Sequence, residues 1–319
     1  MELKPQKKGV ELSSADESVS PIISSYIDTT KNVDISDKGI NTKKAQDPNA
    51  ITVTISDGGT PIVVLFGPGK CGKTMTQIRL ARYLHKHGYS VNPIRDFRPS
   101  DDKDYQYYCD NYPKFLANTN AASSTNTLAF MLLEVLDKRG TRICQILEAP
   151  GEHYYSVADP MAEFPAYINN LISSSTKKIW VITLEPNWNP HANCQQYNLN
   201  EYVSKIKKLS QQINRRDKVL FIYNKIDTTN LVQRQGEVNV PQMIKDVKNH
   251  FTGVFTPFIN TNPITKWWRK YNCDILPFST GSYNQYKDGT DAKVTYTMGP
   301  DIYPQKLWAK ISELIRGWL

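Results

Sequence analysis

Long apolar runs are missing from this 319-residue sequence. Runs such as Ile62-Val63-Val64-Leu65-Phe66 stop within a few residues, far short of the ~20 needed for a membrane-spanning helix. No transmembrane segment is expected. Behind Lys4, Lys7 and Lys8 there is no apolar stretch, so no secretory signal is read at the start of the chain. Cysteine and histidine are scarce, at five each. Cys71, Cys109, Cys144, Cys194 and Cys273 are scattered, and no two have the spacing of a zinc knuckle or a redox dithiol. His191-Ala192-Asn193-Cys194 offers two ligands with no others nearby, too few for a metal site. Reduced thiols and a cytoplasmic location are the expectation.

What is present is enough for a core. Hydrophobic residues make up 39% of the chain and there are six tryptophans, which excludes wholesale disorder. Lys and Arg number 39 against 31 Asp and Glu, a formal charge of +8. The excess lies beyond residue 200, spread as Lys205/Lys207/Lys208, Arg215/Arg216/Lys218 and Lys266/Arg269/Lys270. Such triplets read as solvated helix faces; a nucleic-acid or anionic-membrane surface is the less favoured reading.

Residues 1–48 are polar and aperiodic and read as a disordered tail. Ile51, Val53 and Ile55 alternate with polar residues, which predicts a short strand, and Asp57-Gly58-Gly59 predicts a turn. From Pro61 onward strand and helix signals alternate. Ile62 to Phe66 predicts a buried strand and Thr74 to His87 a helix; residues 92–125 read as irregular. Leu128 to Val135 and Arg142 to Leu147 flank Asp137-Lys138-Arg139-Gly140, a β-hairpin pattern. Strands are expected at Ile179–Leu184, Val219–Tyr223 and Ile275–Phe278, and helices at Asn200–Ile213 and around Leu307 to Trp318. Alternation of this kind implies an α/β chain whose mostly parallel sheet, interrupted by one antiparallel hairpin, is covered on both faces.

The segment Gly67-Pro68-Gly69-Lys70-Cys71-Gly72-Lys73-Thr74 fits the phosphate-loop pattern GxxxxGK[ST] with no mismatch. It lies between a predicted strand and a predicted helix, the context the chemistry requires. Glycines let successive N–H groups point inward at phosphate oxygens, and the helix N-terminus adds its positive end. Lys73 would reach the β- and γ-phosphates and the Thr74 hydroxyl would ligate Mg²⁺. Farther along, the strand ending at Tyr223 runs into Asn224-Lys225-Ile226-Asp227. Guanine presents two adjacent donors, N1–H and the N2 amine, that one carboxylate accepts together, so Asp227 is a candidate guanine selector.

With these two segments in this order, the sequence resembles P-loop GTPases of the Ras-like and translation-factor class. That resemblance implies a three-layer, Ras-like G domain. It places the third signature at Glu148-Ala149-Pro150-Gly151 and the fifth at Ser279-Thr280-Gly281. It implies GTP/GDP and Mg²⁺ as ligands. Gly67, Gly69, Lys70, Cys71, Gly72, Lys73 and Thr74, together with Gly151, Asn224, Lys225, Asp227, Ser279 and Thr280, would contact nucleotide. Thr74, Glu148 and a switch threonine would serve the metal, Thr127 or Thr125 being the candidates and Thr119 a weaker one. The position after Gly151, a water-orienting Gln in Ras-like members, is Glu152 here, and His153 is the alternative water-positioning group. Lys73, Glu152 and His153 are thus the candidate catalytic residues, and Arg95 and Arg98 are candidates for a charge-stabilising arginine in cis.

The resemblance also implies one enlarged GTPase domain over residues 49–319. Its surplus length falls into insertions near 95–126 and 228–274. Trp267-Trp268-Arg269-Lys270, in the second insertion, is expected to form a hydrophobic cluster beneath a loop, with a partner or nucleic-acid surface as the alternative. The long first switch, the Glu-Ala-Pro-Gly-Glu form of the third signature and the polar tail are similar to bacterial double-GTPase-like proteins. The expected activity is a GTP-hydrolysing switch acting on a protein effector or regulator. A nucleotide-binding scaffold with little turnover is the alternative, and an ATP-using P-loop enzyme is the third reading.

Overall fold

The structure, a computed structural model, describes residues 48–117, 130–186, 198–234, 236–288 and 291–317. The polar tail, apart from Pro48, the threonines at 119, 125 and 127, and His191–Cys194 lie outside the described residues. In chain order the principal elements are β1 (Ile62–Phe66), α1 (Lys73–Lys86), β2 (Ser90–Pro93), α2 (Lys103–Ala117), β3 (Met131–Leu136), β4 (Arg142–Glu148) and α3 (Gly151–Tyr154). They continue with α4 (Ala166–Ser173), β5 (Lys178–Leu184), α5 (Leu199–Gln212), β6 (Lys218–Tyr223), β7 (Val232–Arg234), β8 (Glu237–Val238) and α6 (Val240–His250). The last are β9 (Cys273–Pro277), β10 (Ser282–Asp288), β11 (Asp291–Thr297) and α7 (Ile302–Arg316).

Seven strands form one sheet in the order β2-β3-β4-β1-β5-β6-β9. Strand β3 runs antiparallel to both β2 and β4, and the remaining pairings are parallel. This is the P-loop GTPase arrangement, with β2 added at the hairpin edge. Every residue of β1 and β5 is buried. Because successive side chains point to opposite faces, both faces must be covered, which is why these strands read as continuous apolar runs rather than alternating ones. On one face Phe66 packs against Tyr154, Phe164, Trp180 and Tyr202, with ring centroids 4.8–6.4 Å apart.

The predicted turns form as their residues dictate. At the β3–β4 turn, Asp137 Oδ1 accepts from the Arg139 and Thr141 amides at 2.8 Å each, and Gly140 takes φ 79°. The Asp57 carboxylate accepts from the Gly59 and Thr60 amides and the Thr60 hydroxyl.

Three expectations require correction. Residues 51–56 join no sheet of the described residues: their alternation buries Ile51, Val53 and Ile55 partly against the core, and Thr54 N donates to Phe97 O at 2.9 Å, but no described strand pairs with them. Residues 103–117, read as irregular, form α2; its buried face is Tyr105, Cys109, Tyr112, Phe115 and Leu116, an aromatic stripe that runs through Pro113. Trp267 and Trp268 are not packed beneath a loop but are 82% and 73% exposed. No helix among the described residues is long and apolar enough to cross a membrane.

Candidate functional site

Strand register brings the signature segments to one edge. Leu65 pairs with Glu148 across β1 and β4, Phe66 with Ile182 across β1 and β5, and Leu184 with Tyr223 across β5 and β6. The segments that leave these strands, Gly67–Thr74, Ala149–Glu152 and Asn224–Asp227, therefore start side by side at the carboxyl ends of parallel strands. Ligands bind at that edge in open α/β sheets.

The phosphate loop turns through Lys70 at φ 64° and Gly72 at φ 92°, both left-handed. At Gly72 the cost of a side chain is steric as well: a Cβ would lie 2.4 Å from Asn224 Nδ2. The Lys73 side chain is buried and curls back over the loop, its Nζ donating to Gly67 O at 3.0 Å and Pro68 O at 2.9 Å. A cation is thus held at the centre of the loop, in line with the positive end of α1. Cys71 is buried and its thiol is pushed up by desolvation, which keeps it protonated and inert.

Beside the loop, Thr74 Oγ1 donates to Glu148 Oε1 at 3.1 Å, and the Phe130 amide donates to Glu148 Oε2 at 3.0 Å. Glu148 is buried, and desolvation raises its carboxyl to about 6 against the pull of Lys73. One hydroxyl and one buried carboxylate make an all-oxygen donor pair, which fits Mg²⁺ better than a thiophilic ion. Among the described residues no three His, Cys, Asp or Glu side chains cluster as a metal site, so Mg²⁺ held here would draw its other oxygens from phosphate and water. Gly151 presses directly on the loop: a Cβ there would fall 2.1 Å from Gly69 N. Glu152 follows, and its Oε1 is the first atom a Cβ on Gly69 would meet, at 2.6 Å.

His153 points elsewhere. Its Nδ1 lies 2.6 Å from the Tyr167 hydroxyl, and its ring packs edge-on against Phe130 and Tyr167. Desolvation lowers its pKa to about 4, so the ring is neutral near pH 7. Of the two water-positioning candidates, only Glu152 is in contact with the phosphate loop.

Asn224 ties its own segment, Asn224–Asp227, to the phosphate loop. It is fully buried, its Nδ2 donates to Cys71 O at 2.9 Å, and its Oδ1 accepts from Lys225 N at 2.8 Å. Lys225, at φ 53°, donates through Nζ to Lys70 O at 3.2 Å and is ion-paired with Glu185. Asp227 is exposed at the same edge and accepts from Ser282 Oγ at 3.3 Å. Ser279 and Thr280 are buried; the Thr280 methyl is 3.1 Å from where a Gly72 Cβ would be.

Reading the sequence missed three contributors. Arg79, on α1, is buried and donates to the carbonyls of Ser279, Gly299 and Pro300, anchoring the fifth segment. Glu185, the first residue beyond β5, holds Lys225; an acid directly after an apolar strand was its signal. Phe130 caps Glu148 from a positive φ of 73°. Lys70, Phe130 and Lys225 are the non-glycine residues with positive φ among those described, and all three line this edge. Strained backbone of this kind clusters at functional sites. Of the two candidate arginines, Arg95 is engaged by Gln106 and Asp110 on the outer side of α2. Arg98 instead lies 5.0 Å over the Phe130 ring, beside the third segment, and pairs with Asp102.

No family model and no curated protein matches the sequence. Among solved structures, the chain is similar to nucleolar GTP-binding protein 1 of Plasmodium falciparum, at 12% identity and TM-score 0.39 over 83% of this chain and 91% of that one. It is similar to the GTP-bound Ski7 GTPase-like domain of S. cerevisiae, at 14% identity and TM-score 0.40 over 80% of this chain. A third similarity is to the GDP-bound RocCORdC of Methanosarcina barkeri Roco2, at 13% identity and TM-score 0.33 over 86% of this chain. The chain spans 50% and 54% of the Ski7 and Roco2 structures. The P-loop GTPase fold rests on this chain's own strand order and on the loop between β1 and α1.

Proposed function

We propose that this chain binds guanine nucleotide with Mg²⁺ at the carboxyl edge of its sheet and hydrolyses GTP to GDP and phosphate. The observation that carries the reading is the bond from Asn224 Nδ2 to Cys71 O. It fixes the segment bearing Asp227 to the phosphate loop, so that phosphate and base recognition share one frame. Asp227 would accept the two guanine donors, with the buried Ser279–Thr280 segment forming the neighbouring wall. The loop amides and the Lys73 ammonium would bind the phosphates, and Thr74 and Glu148 would hold Mg²⁺. Bound there, Mg²⁺ offsets charge on the phosphate oxygens.

Glu152 is the group that would orient the attacking water, because it is the third-segment side chain against the loop. Water forms a bond to the γ-phosphorus as the bond to the β–γ bridging oxygen breaks; GDP departs with that electron pair, and the proton lost by the water passes to the released phosphate. Gly151, in contact with Gly69, would transmit the presence of the γ-phosphate to the segment that follows. A protein effector or regulator responding to that change would make the protein a molecular switch in the cytoplasm. The test of base reading is Asp227→Asn, whose amide should pair with xanthine in place of guanine; unchanged guanine selectivity would remove Asp227 from that role.

Glu152 also favours a second reading, a nucleotide-binding scaffold with little turnover. A carboxylate against the phosphate loop repels a γ-phosphate as well as orienting water. Single-turnover phosphate release separates the two: release above the buffer background supports hydrolysis, and none over hours supports the scaffold.

A further inference from the structure

Away from the nucleotide edge, the segment between α6 and β9 displays apolar side chains in water. Ile264, Trp267 and Trp268 are 69%, 82% and 73% exposed, and Ile259 beside them is 47% exposed. Exposed apolar residues of this size, gathered on one short segment, mark an interaction surface.

The segment is built to hold them out. The buried Asn260 side chain donates to Thr265 Oγ1 and Arg269 O, each at 2.8 Å, and its Oδ1 accepts from Asn262 N at 3.0 Å. Asn262 Oδ1 in turn accepts from the amides of Ile264 and Thr265, at 2.9 and 3.2 Å. The amides of Lys266, Trp268 and Arg269 bond to Asn262 O and Thr265 O within the segment. The amides of Asn262, Ile264, Thr265, Lys266, Trp268 and Arg269 are therefore paired within the tip. Paired amides lower the cost of entering a medium poor in water, and the ordering cost is met before any partner arrives.

Lysines stand beside the aromatic rings of the tip. Lys266 Nζ lies 5.8 Å over the Trp267 ring, and Lys248 and Lys270 lie 5.7 and 5.6 Å over the Tyr271 ring. The nearby acid, Asp274, is paired with Arg269 and Lys310. Exposed tryptophans with one lysine over Trp267 and two more at Tyr271 suit the interface of an anionic bilayer, where the indole sits at headgroup depth and the ammonium groups meet lipid phosphate. The two isoleucines favour lipid over nucleic acid, because an aliphatic side chain gains from acyl chains and offers no ring on which a base can stack.

Topology leaves the surface free to act. The tip precedes the start of β9, whereas the phosphate loop follows the end of β1, and β1, β5, β6 and β9 run parallel to one another across the sheet. The tip and the nucleotide edge are therefore at opposite ends of the strands. We infer that the segment Ile259–Tyr271 is a peripheral docking surface for anionic lipid membranes, inserting Ile264, Trp267 and Trp268 at the headgroup boundary with Lys266, Lys270 and Lys248 on the lipid charges.

The test uses the full chain with vesicles of phosphatidylcholine alone or with about 30% phosphatidylserine, scored by co-sedimentation and tryptophan fluorescence. The expected result is pelleting with the anionic vesicles, roughly tenfold or more above neutral ones, and a blue-shifted emission. Trp267→Ser/Trp268→Ser should abolish pelleting, and Lys266→Gln/Lys270→Gln should remove the preference for phosphatidylserine. Both variants should keep the wild-type melting temperature, which shows that they fold. Failure to pellet with anionic vesicles, undiminished pelleting of the tryptophan variant, or displacement of the protein from vesicles by single-stranded RNA through the same tryptophans would overturn the proposal.

Discussion

A Cβ placed on Gly151 would fall 2.1 Å from the Gly69 amide nitrogen and 2.3 Å from the Pro68 carbonyl carbon. The third segment and the phosphate loop are therefore in backbone contact, with no side chain between them. Gly151→Ala must push the two apart, a clash of about 1–3 kcal/mol on the usual cost of overpacking. The expected outcome is a lower melting temperature and loss of the extra stabilisation that a GTP analogue gives over GDP. Differential scanning fluorimetry with each nucleotide reads both effects.

Asn224→Ala removes the donor to Cys71 O and the acceptor for Lys225 N. Both partners are left unsatisfied near a buried site, at about 1–3 kcal/mol. GDP affinity should fall by roughly 10- to 100-fold, measured by titration with a fluorescent guanine nucleotide. An unchanged affinity would mean that the phosphate loop and the Asp227 segment act independently.

Arg79 tests the base side alone. Its guanidinium serves three carbonyls around the fifth segment, and none of them belongs to the phosphate loop. Arg79→Met keeps the aliphatic bulk and removes the donors. The preference for GDP over ADP should drop about tenfold, while binding of inorganic triphosphate should stay as in the wild type. Competition titrations with the three ligands give the comparison.

The pH dependence of stability has two opposed contributions. His153, at about 4 in the folded protein against 6.5 ordinarily, binds a proton in the unfolded chain first. It therefore costs stability as pH falls from 6.5 to 4. Glu148, at about 6 against 4.5 ordinarily, keeps its proton longer in the folded chain. Its contribution is greatest below 4.5 and is lost as pH rises through 6. The two partly cancel between pH 4.5 and 6 in the wild type. In His153→Gln, stability should decline with rising pH across that window, as urea melts at half-unit steps would show. Proton NMR should place the His153 titration well below that of an exposed histidine.

Much of this fold is legible in the sequence, for physical reasons. β1 and β5 are buried on both faces and so appear as uninterrupted apolar runs, and the phosphate loop is readable because each residue type in it meets a backbone or charge requirement. The less legible elements have mixed signals. The buried face of α2 opens with Tyr105, Cys109 and Tyr112, which are half polar, and turns apolar at Phe115 and Leu116 only after Pro113, within the helix. Residues 51–56 alternate like a strand but have no strand beside them among the described residues, because alternation reports a face and not a neighbour. Arg79 is hidden for another reason: a charged residue on a helix gives no sign in sequence that it reaches three carbonyls some two hundred positions away. Trp267 and Trp268 reverse the usual expectation, being held in solvent by asparagine-braced backbone and not by a missing core.

The central claim is that Gly67–Thr74 and Asn224–Asp227 form one guanine-nucleotide site. Isothermal titration calorimetry of the nucleotide-free chain with GDP and ADP, each with Mg²⁺, tests it most directly. GDP should bind at least about 100-fold more tightly than ADP, the selectivity expected of a bidentate contact to the base. Equal affinities, or tighter binding of ADP, would contradict it.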